Sequence, residues 1–266
     1  MTVAESIIIA IVEGITEFIP ISSTAHMRIT ENFLGISNTD KFTQVFTVAI
    51  QLGAILSVVV LYWKKFFDFT RLNFYLKLII AVIPALILGK LFKDKIDMIL
   101  EKPVIIAIIM LAGGIILLFV DDWFKNPVIR DEKEISNIKA FQVGLFQCLA
   151  IIFPGLSRSA ATIIGGMSLK MTRSLAAEFS FFLAVPTMFA ATIYSLYKYV
   201  DDVGGFSSEE IKLLTIGNLV AFVVALLAIK FFITMLKKYG FRVWGIYRVI
   251  FGIILLVLMY KGVLTA

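Results

Sequence analysis

The residues best suited to chemistry fall into two short clusters, and the first lies near the N-terminus. Glu13 and Glu17 are four residues apart, so on a helix their carboxylates share one face. Ser22 and Ser23 follow them, and His26 is the only histidine in the chain. Paired carboxylates suit a cation held between them, and hydroxyls beside the free N–H groups of a helix end suit an anion. The cluster therefore predicts a site for a charged ligand.

The second cluster is PGLSRSAAT (154–162), which sets an arginine among hydroxyls on a glycine-led turn. Gly155 permits close approach of the backbone to a ligand, and Arg158 can clamp two oxygens of a phosphate at once. The neighbouring hydroxyls belong to Ser157, Ser159 and Thr162. The GxxxxGK[ST] spacing of nucleotide-binding loops is absent, so the cluster predicts a phosphate site of another kind.

Each feature also has a purely structural interpretation. The glutamate pair is equally consistent with the wet face of an interfacial helix, and a lone histidine is more often structural than catalytic. Serine and threonine after a proline commonly cap a helix. Arg158 could anchor a helix at the membrane interface. The functional interpretation is favoured because all the polar groups of the first cluster lie within one short stretch, 13–26, of an apolar chain.

The composition sets these clusters in a membrane. Hydrophobic residues make up 60% of the 266 residues and charged residues only 17%, and the mean hydropathy is +0.96. Soluble enzymes and disordered chains carry far fewer apolar residues. At roughly 20 residues per span, the apolar content fills six to eight membrane segments. The single cysteine, Cys148, excludes an internal disulfide and any CxxC metal or redox site.

The elements that must position the clusters are apolar segments, which form helices in lipid because a helix satisfies its own backbone. Eight segments cover about residues 6–21, 43–63, 76–93, 103–120, 140–153, 175–197, 211–236 and 245–263. The first segment of each half is short and is broken by proline and small polar residues, which predicts two re-entrant helical segments. The predicted fold class is an all-α integral membrane protein with six transmembrane helices and two re-entrant segments.

The two halves of the chain resemble copies of one another. In the ungapped register that sets Glu13 on Gln147, Pro20 falls on Pro154 and Ser23 on Ser157. We expect one membrane domain over 1–266, with repeat 1 at about 1–121, a polar linker at 122–139 and repeat 2 at about 140–266. Because each repeat would contribute three full spans, an odd number, the second copy would be inverted in the membrane. Gln147, as the counterpart of Glu13, is expected to bind substrate.

Charge gives the orientation and narrows the partners. The formal net charge is +6, but basic residues are scattered among short loops, which disfavours nucleic acid as a partner. They are somewhat more frequent on the face that carries the linker, which predicts that this face is cytoplasmic and that both termini lie outside. Glu5, Glu13 and Glu17 interrupt the N-terminal apolar stretch, so no cleavable signal peptide is expected.

Together the two clusters supply carboxylates, hydroxyls, a histidine and an arginine. Carboxylates beside phosphate ligands imply a divalent cation, and hard oxygen ligands favour Mg²⁺ or Ca²⁺. A histidine or serine next to a phosphate indicates phosphoryl transfer, in which positioning and charge neutralisation carry most of the catalysis. Because the site is set in a membrane, the expected substrate is a lipid phosphate.

The motifs EGITEFIPISSTAHM (13–27) and PGLSRSAAT (154–162) resemble those of the bacterial undecaprenyl-diphosphate phosphatases of the bacitracin-resistance type. The resemblance covers essentially the whole chain. It implies hydrolysis of undecaprenyl diphosphate to undecaprenyl phosphate and inorganic phosphate, which recycles the lipid carrier for peptidoglycan and cell-wall synthesis and confers bacitracin resistance. It also implies a bacterial plasma membrane location, a site that opens to the outer face, a divalent cation and a homodimer.

The resemblance assigns roles residue by residue. Glu13 and Glu17 would bind the metal or do acid–base work, and Arg158 would hold the diphosphate. Pocket-lining residues would be Ser22, Ser23, Ser157, Ser159 and Thr162. The nucleophile stays open among His26, Ser23 and water, and Ala25 and Ala160 replace glycines that are common in the family.

A different class of function fits the same features. Inverted repeats with broken helices are also typical of transporters. A transporter or flippase of a phosphorylated lipid would use the arginine and the hydroxyls as a binding site without hydrolysis. Phosphate release from a long-chain prenyl diphosphate distinguishes the two hypotheses. A purely structural membrane subunit would leave the two matching polar clusters unexplained.

Overall fold

The computed structural model describes residues 1–37, 39–92, 102–262 and 264. The described helices, in chain order, are α1 (Val3–Thr16), α2 (Ser23–Phe33), α3 (Lys41–Leu61), α4 (Trp63–Phe66), α5 (Leu72–Leu91), α6 (Pro103–Trp123), α7 (Asn137–Ile152), α8 (Arg158–Ser168), α9 (Arg173–Val203), α10 (Ser208–Tyr239) and α11 (Arg242–Tyr260). One turn of 3₁₀-helix, Glu132–Glu134, interrupts the linker between α6 and α7.

Six of these helices, within the described residues, are long and apolar enough to cross a membrane: α3, α5, α6, α9, α10 and α11. Their outward faces are apolar as well. On α5, for example, Leu76, Ile79, Ile83, Leu86 and Ile87 are exposed and recur every three or four residues along one side. Such a stripe would be unfavourable in water and is expected against lipid tails. The predicted all-helical membrane fold is confirmed.

The remaining long helices form two broken pairs, α1 with α2 and α7 with α8. α1 has 14 residues and α7 has 16, so at 1.5 Å per residue they are only about 21 and 24 Å long. A bilayer core of about 30 Å is too thick for either one to cross alone. Each is followed by a short turn and then by an 11-residue helix that packs against it. These lengths are those required of re-entrant hairpins, and their depth in the membrane stays a prediction.

The first helix of each hairpin packs against the other half of the chain. α1 lies along α10, whereas α7 lies along α5. Small residues make both contacts close: a Cβ added to Gly14 would meet Ala221 O of α10 at 2.9 Å, and one added to Gly144 would overlap the backbone of Ala81 in α5. α3 also packs on both α9 and α10, and α6 packs on α11. The halves are therefore interlocked rather than side by side.

The linker is shorter than predicted and is held against the helices. α6 continues to Trp123 and α7 begins at Asn137, so residues 124–136 connect them. Glu132 forms ion pairs with Arg71 and Lys65, and the Lys77 ammonium donates to the Glu132 carbonyl at 2.8 Å. Backbone bonds from 128 and 129 to the carbonyl of residue 170 fix the other end.

Two details differ from the sequence-based expectations or fall outside the structure. The linker is expected to begin just after residue 121, but α6 continues to Trp123, and the Asp121 side chain within it accepts from Phe241 N at 2.7 Å and pairs with Arg173 at 2.6 Å. The predicted segment ends at 93 and 263 and the repeat end at 266 lie outside the described residues.

Candidate active site

Both polar clusters lie where a short helix begins after a break. Ser22 and Ser157 are the N-caps of α2 and α8, and both have a positive φ, 71° and 76°. Their hydroxyls accept from the N–H groups of Ala25 and Ala160. These two alanines are third in their helices, where helical backbone geometry accommodates a methyl group, so the departure from glycine does not strain the turn. Helix N-termini of this kind favour anions.

Glu17 joins the two clusters. Its Oε1 accepts a 2.6 Å hydrogen bond from Nη2 of Arg158, which completes a mostly buried ion pair. Its Oε2 accepts from the hydroxyl of Ser23, also at 2.6 Å. A carboxylate held between an arginine and a serine hydroxyl is therefore present where the two halves of the chain meet. The two sequence clusters, one from each half of the chain, form a single site.

The guanidinium of Arg158 is also held from α9. Its Nη1 donates to the Ser180 carbonyl at 3.1 Å, and its Nη2 lies 3.3 Å from the sulfur of Met188. Thr162 shares a 2.6 Å hydrogen bond with the Ser180 hydroxyl and donates to the Arg158 carbonyl at 2.9 Å. Thr162 thus braces the helix that carries the arginine.

The remaining serines of the second cluster link the two breaks. The hydroxyls of Ser157 and Ser159 are 2.9 Å apart. Ser159 also donates to the carbonyl of Ile19 in the first break, at 3.2 Å. Both side chains are at least nine-tenths buried, so these hydrogen bonds form in a low-dielectric environment.

Glu13 lies one helical turn before Glu17 and is completely buried. Within the described part of the chain, neither of its carboxylate oxygens has a hydrogen-bond partner. Its carboxyl group is close enough to interact with that of Glu17. A buried carboxylate without donors is costly, so this side chain is a candidate ligand-binding group of the site.

His26 belongs to the same helix start but faces α11. Its Nδ1 lies 2.8 Å from the Ser22 carbonyl, and its Nε2 lies 2.7 Å from the Tyr247 hydroxyl. Its ring stacks on Phe251 with centroids 4.4 Å apart. A carbonyl can only accept, so Nδ1 carries the hydrogen; in the neutral ring, Nε2 then accepts from Tyr247. The imidazole is therefore not directed at Ser23 in this arrangement.

Gln147 and Gly155 have positional roles. Gln147 is buried, and its carbonyl oxygen accepts from the Thr187 hydroxyl at 3.3 Å; its amide nitrogen has no partner among the described residues. Gly155 has φ +99°, and an added Cβ would meet the Ile106 carbonyl at 2.7 Å. Only glycine fits there, because the conformation and the space both exclude a side chain.

The predicted register between the two halves changes at the breaks. Buried positions of α1 and α7 correspond in this register, as in Ile9 with Val143 and Glu13 with Gln147. The helices after the breaks begin at Ser23 and Arg158, whereas the register sets Ser23 on Ser157. The distance from Gln147 to the N-cap Ser157 is therefore one residue more than that from Glu13 to the N-cap Ser22, and Ser157 has the position of Ser22 rather than of Ser23. The internal duplication itself stays a prediction.

Sequence reasoning missed Tyr247 and Arg248 on α11. Arg248 is completely buried, and it donates to backbone carbonyls of both breaks. A signal was available, because a charged residue within an apolar span generally marks a functional or structural site. Ser180 and Thr187 on α9 were also missed, and they carry no comparable signal.

Taken together, the fold and the site define a polytopic helical membrane protein with a buried polar centre between two broken helices. Two helix N-termini, one arginine and several hydroxyls suit phosphate oxygens, and two carboxylates stand beside them.

The comparison with known families agrees with this class. The model of the family described as bacitracin resistance protein BacA matches residues 6–254, and the chain belongs to this family. It is similar to an undecaprenyl-diphosphatase of Flavobacterium psychrophilum, with 57% identity over 260 residues, which cover 98% of this chain and 97% of the relative. A relative of the same name from Porphyromonas gingivalis is 50% identical over the full length of both chains. Another, from Bdellovibrio bacteriovorus, is 46% identical over 98% of each chain.

Proposed function

We propose that this protein hydrolyses undecaprenyl diphosphate to undecaprenyl phosphate and inorganic phosphate. The observation that carries the proposal is the Glu17–Arg158 pair, which brings a carboxylate, a phosphate-binding side chain and a serine hydroxyl to one point between two helix N-termini. Family membership and full-length relatives named undecaprenyl-diphosphatase agree with it. The reaction returns the lipid carrier to cell-wall synthesis, and it lowers the amount of diphosphate available to bacitracin.

Substrate binding uses the positive groups of both breaks. The terminal phosphate lies against the guanidinium of Arg158, which exchanges part of its contact with Glu17 for phosphate oxygens. The first N–H groups of α2 and α8 and the hydroxyls of Ser22, Ser157 and Ser159 supply further donors. The apolar chain of the lipid extends along the lipid-exposed helix surfaces.

The geometry favours Ser23 as the nucleophile and Glu17 as its base. The Ser23 hydroxyl already donates to Glu17, so its proton can pass to that carboxylate as Oγ attacks the terminal phosphorus. The bond from phosphorus to the bridging oxygen breaks, and undecaprenyl phosphate leaves. Glu17 gives up this proton to the departing phosphate. Water then attacks the phosphoserine, Glu17 takes a proton from the water, inorganic phosphate forms, and the proton returns to Oγ of Ser23. His26 is hydrogen-bonded to Tyr247 instead, and it orients the start of α2.

A divalent cation, Mg²⁺ or Ca²⁺, fits the carboxylate oxygens of Glu13 and Glu17. Glu13 and Glu17 would hold it, because Glu13 is buried without a hydrogen-bond partner in the described residues. Among the described residues, no three histidine, cysteine or acidic side chains lie close enough together to hold a metal ion by themselves. Two carboxylates plus substrate phosphate oxygens are a common ligand set for Mg²⁺. Such a cation would neutralise negative charge on the phosphates.

We also propose that the site opens to the outer face and that the protein forms a homodimer. The excess of basic residues on the face that carries the linker marks that face as cytoplasmic and orients the chain in the membrane. Both features follow from the family resemblance.

Purified protein in detergent tests the proposed activity. We expect phosphate release from undecaprenyl diphosphate that EDTA stops and that added Mg²⁺ or Ca²⁺ restores. Arg158→Lys retains the charge but loses the two-pronged contact, so we expect its kcat/KM to fall at least about 100-fold. Arg130→Lys, on the exposed linker, is the matched control. No phosphate release by folded wild-type protein would refute the proposal, and unchanged turnover of Arg158→Lys would refute the assigned site.

A further inference from the structure

The side chain of Arg248 touches backbone from three separate parts of the chain. Its Nε donates to the Met110 carbonyl of α6 at 3.2 Å. Its Nη1 donates to Pro20 O of the first break at 3.1 Å and to Leu156 O of the second at 2.8 Å, and its Nη2 donates to Gly155 O at 3.0 Å. One guanidinium thus bonds to both breaks at the same time.

The charge of Arg248 is balanced in an unusual way. The side chain has 0% exposure, and the ion pairs of the described residues do not include it. A buried charge without a partner is strongly unfavourable. Four carbonyl dipoles take the place of a carboxylate here, and four hydrogen bonds occupy most of the five N–H donors of the guanidinium.

The breaks require such a donor. α1 and α7 both end at a break, and the carbonyls of Pro20, Gly155 and Leu156 lie within the breaks, outside the helices, so they have no helical N–H partner. In a membrane interior these carbonyls have little water to bond with. The same helix ends carry the negative ends of the helix dipoles, which favour a cation. Arg248 therefore supplies hydrogen-bond donors to the carbonyls of both breaks with one side chain.

Helix α6 leaves space for the side chain of Arg248. A Cβ added to Gly113 would lie 2.5 Å from Nη2 of Arg248, and one added to Gly114 would lie 2.8 Å from its Cβ. The glycine pair of α6 thus leaves the space that the arginine fills. Larger residues there would displace the guanidinium from the carbonyls.

From this geometry we propose that Arg248 is a positioning residue that couples the two breaks, so that Glu17 of the first and Arg158 of the second keep their catalytic distance. The inference rests on the proposed phosphatase activity for its kinetic consequence. The coupling itself is a property of the two turns and can be measured without turnover.

The kinetic test compares Arg248→Lys with Arg242→Lys, the same substitution on an exposed position of the same helix. A lysine retains the charge, but its single ammonium cannot reach carbonyls in three segments. We expect kcat per folded protein to fall about 10- to 100-fold, because small displacements of reacting groups have effects of this size, with a smaller change in KM. Arg242→Lys should stay within about twofold of wild type. A loss explained entirely by unfolded protein, or an unchanged kcat, would overturn the inference.

A double variant separates positioning from general stability. In an Arg158→Lys background the group to be positioned is already impaired, so adding Arg248→Lys should lower kcat by less than about threefold. A full multiplicative loss would show that Arg248 acts independently of the site. If Arg248→Lys does not fold, Gly113→Ala replaces it in the test. This variant retains Arg248, but the added methyl group pushes the guanidinium away from the carbonyls, so we expect the same loss of kcat.

Hydrogen exchange of the backbone amides measures directly whether Arg248 couples the two breaks. In Arg248→Lys, amides of residues 17–25 and 153–160 should exchange faster together, whereas Arg242→Lys should leave both unchanged. Faster exchange at only one break, or at neither, contradicts the coupling. If wild-type protein released no phosphate but both breaks still loosened in Arg248→Lys, the proposed function would fail and the coupling would stand.

Discussion

At the scale of single residues, the two oxygens of Glu17 have different partners. One accepts from Arg158 and the other from Ser23, each at 2.6 Å. Such short, charge-assisted hydrogen bonds fix the carboxylate firmly. In the proposed mechanism Glu17 would use both contacts: it would orient Arg158 and accept the proton of Ser23.

Replacing this carboxylate tests that double role. Glu17→Gln retains the size of the side chain but removes the base, so kcat should fall about 10²- to 10⁴-fold. Glu209→Gln, on the exposed first turn of α10, is the control and should retain wild-type activity. Phosphate release under saturating substrate measures both variants. A Glu17→Gln enzyme with more than a tenth of the wild-type kcat would exclude Glu17 as the base.

The hydroxyl of Tyr247 provides a second test. Tyr247→Phe removes the hydrogen bond to His26 but keeps the ring that stacks beside it. Losing one hydrogen bond of this kind costs about 1 kcal/mol, so we expect kcat to fall roughly fivefold with little change in Tm. Tyr260→Phe, at an almost fully exposed position, is the control. If Tyr247→Phe leaves kcat unchanged, the orientation of His26 by Tyr247 has no part in turnover.

The sequence could predict which side chains meet in the site but not all of what holds them. Carboxylates, hydroxyls and an arginine in an apolar chain are recognisable by their type and spacing. The contact of Arg158 with the Ser180 carbonyl, however, depends on how α8 packs against α9. Every residue has a backbone carbonyl, so the sequence could not show which carbonyls Arg248 contacts.

At the scale of helices, the close approach of α7 to α5 depends on a single missing side chain. A Cβ at position 144 would overlap the Ala81 backbone. Gly144→Ala should therefore destabilise the protein by about 1–3 kcal/mol. Gly89→Ala on α5 is the matched control: nothing lies within 4 Å of an added Cβ there, and helix propensity predicts a neutral or slightly stabilising effect. Thermal unfolding in one detergent measures both, and equal Tm values would contradict the packing argument.

The helices also show where reading the sequence reaches its limit. Apolar runs located the ends of the six long helices to within about six residues, because membrane thickness fixes the length of the hydrophobic run. The breaks were predicted from proline and small residues. The one-residue shift of register between the two N-caps was missed, because serines at neighbouring positions allow either register.

At the scale of the whole molecule, the six-helix arrangement places the linker and the α9–α10 turn on opposite faces, since α9 crosses the membrane once between them. Cys148 is buried and is the only cysteine, so a Cys148→Ala background permits site-directed labelling. In right-side-out vesicles, an impermeant maleimide should label an Asp202→Cys variant and should label Asn126→Cys only after lysis. Labelling of both from the same side would contradict the fold, and the reverse pattern would invert the predicted orientation.

The order in which the ribosome makes these segments gives the interlocked packing a further consequence. α1 emerges first, but α10, the helix it lies against, is completed only near the end of synthesis. Until then, of the described helices, α1 can pack only on α2 and α3, and the surface that it later places against α10 has no partner. The first hairpin therefore reaches its final packing only after α10 has been made. Biogenesis of this protein is thus governed by its last helices, and a truncated chain would leave its own beginning unassembled.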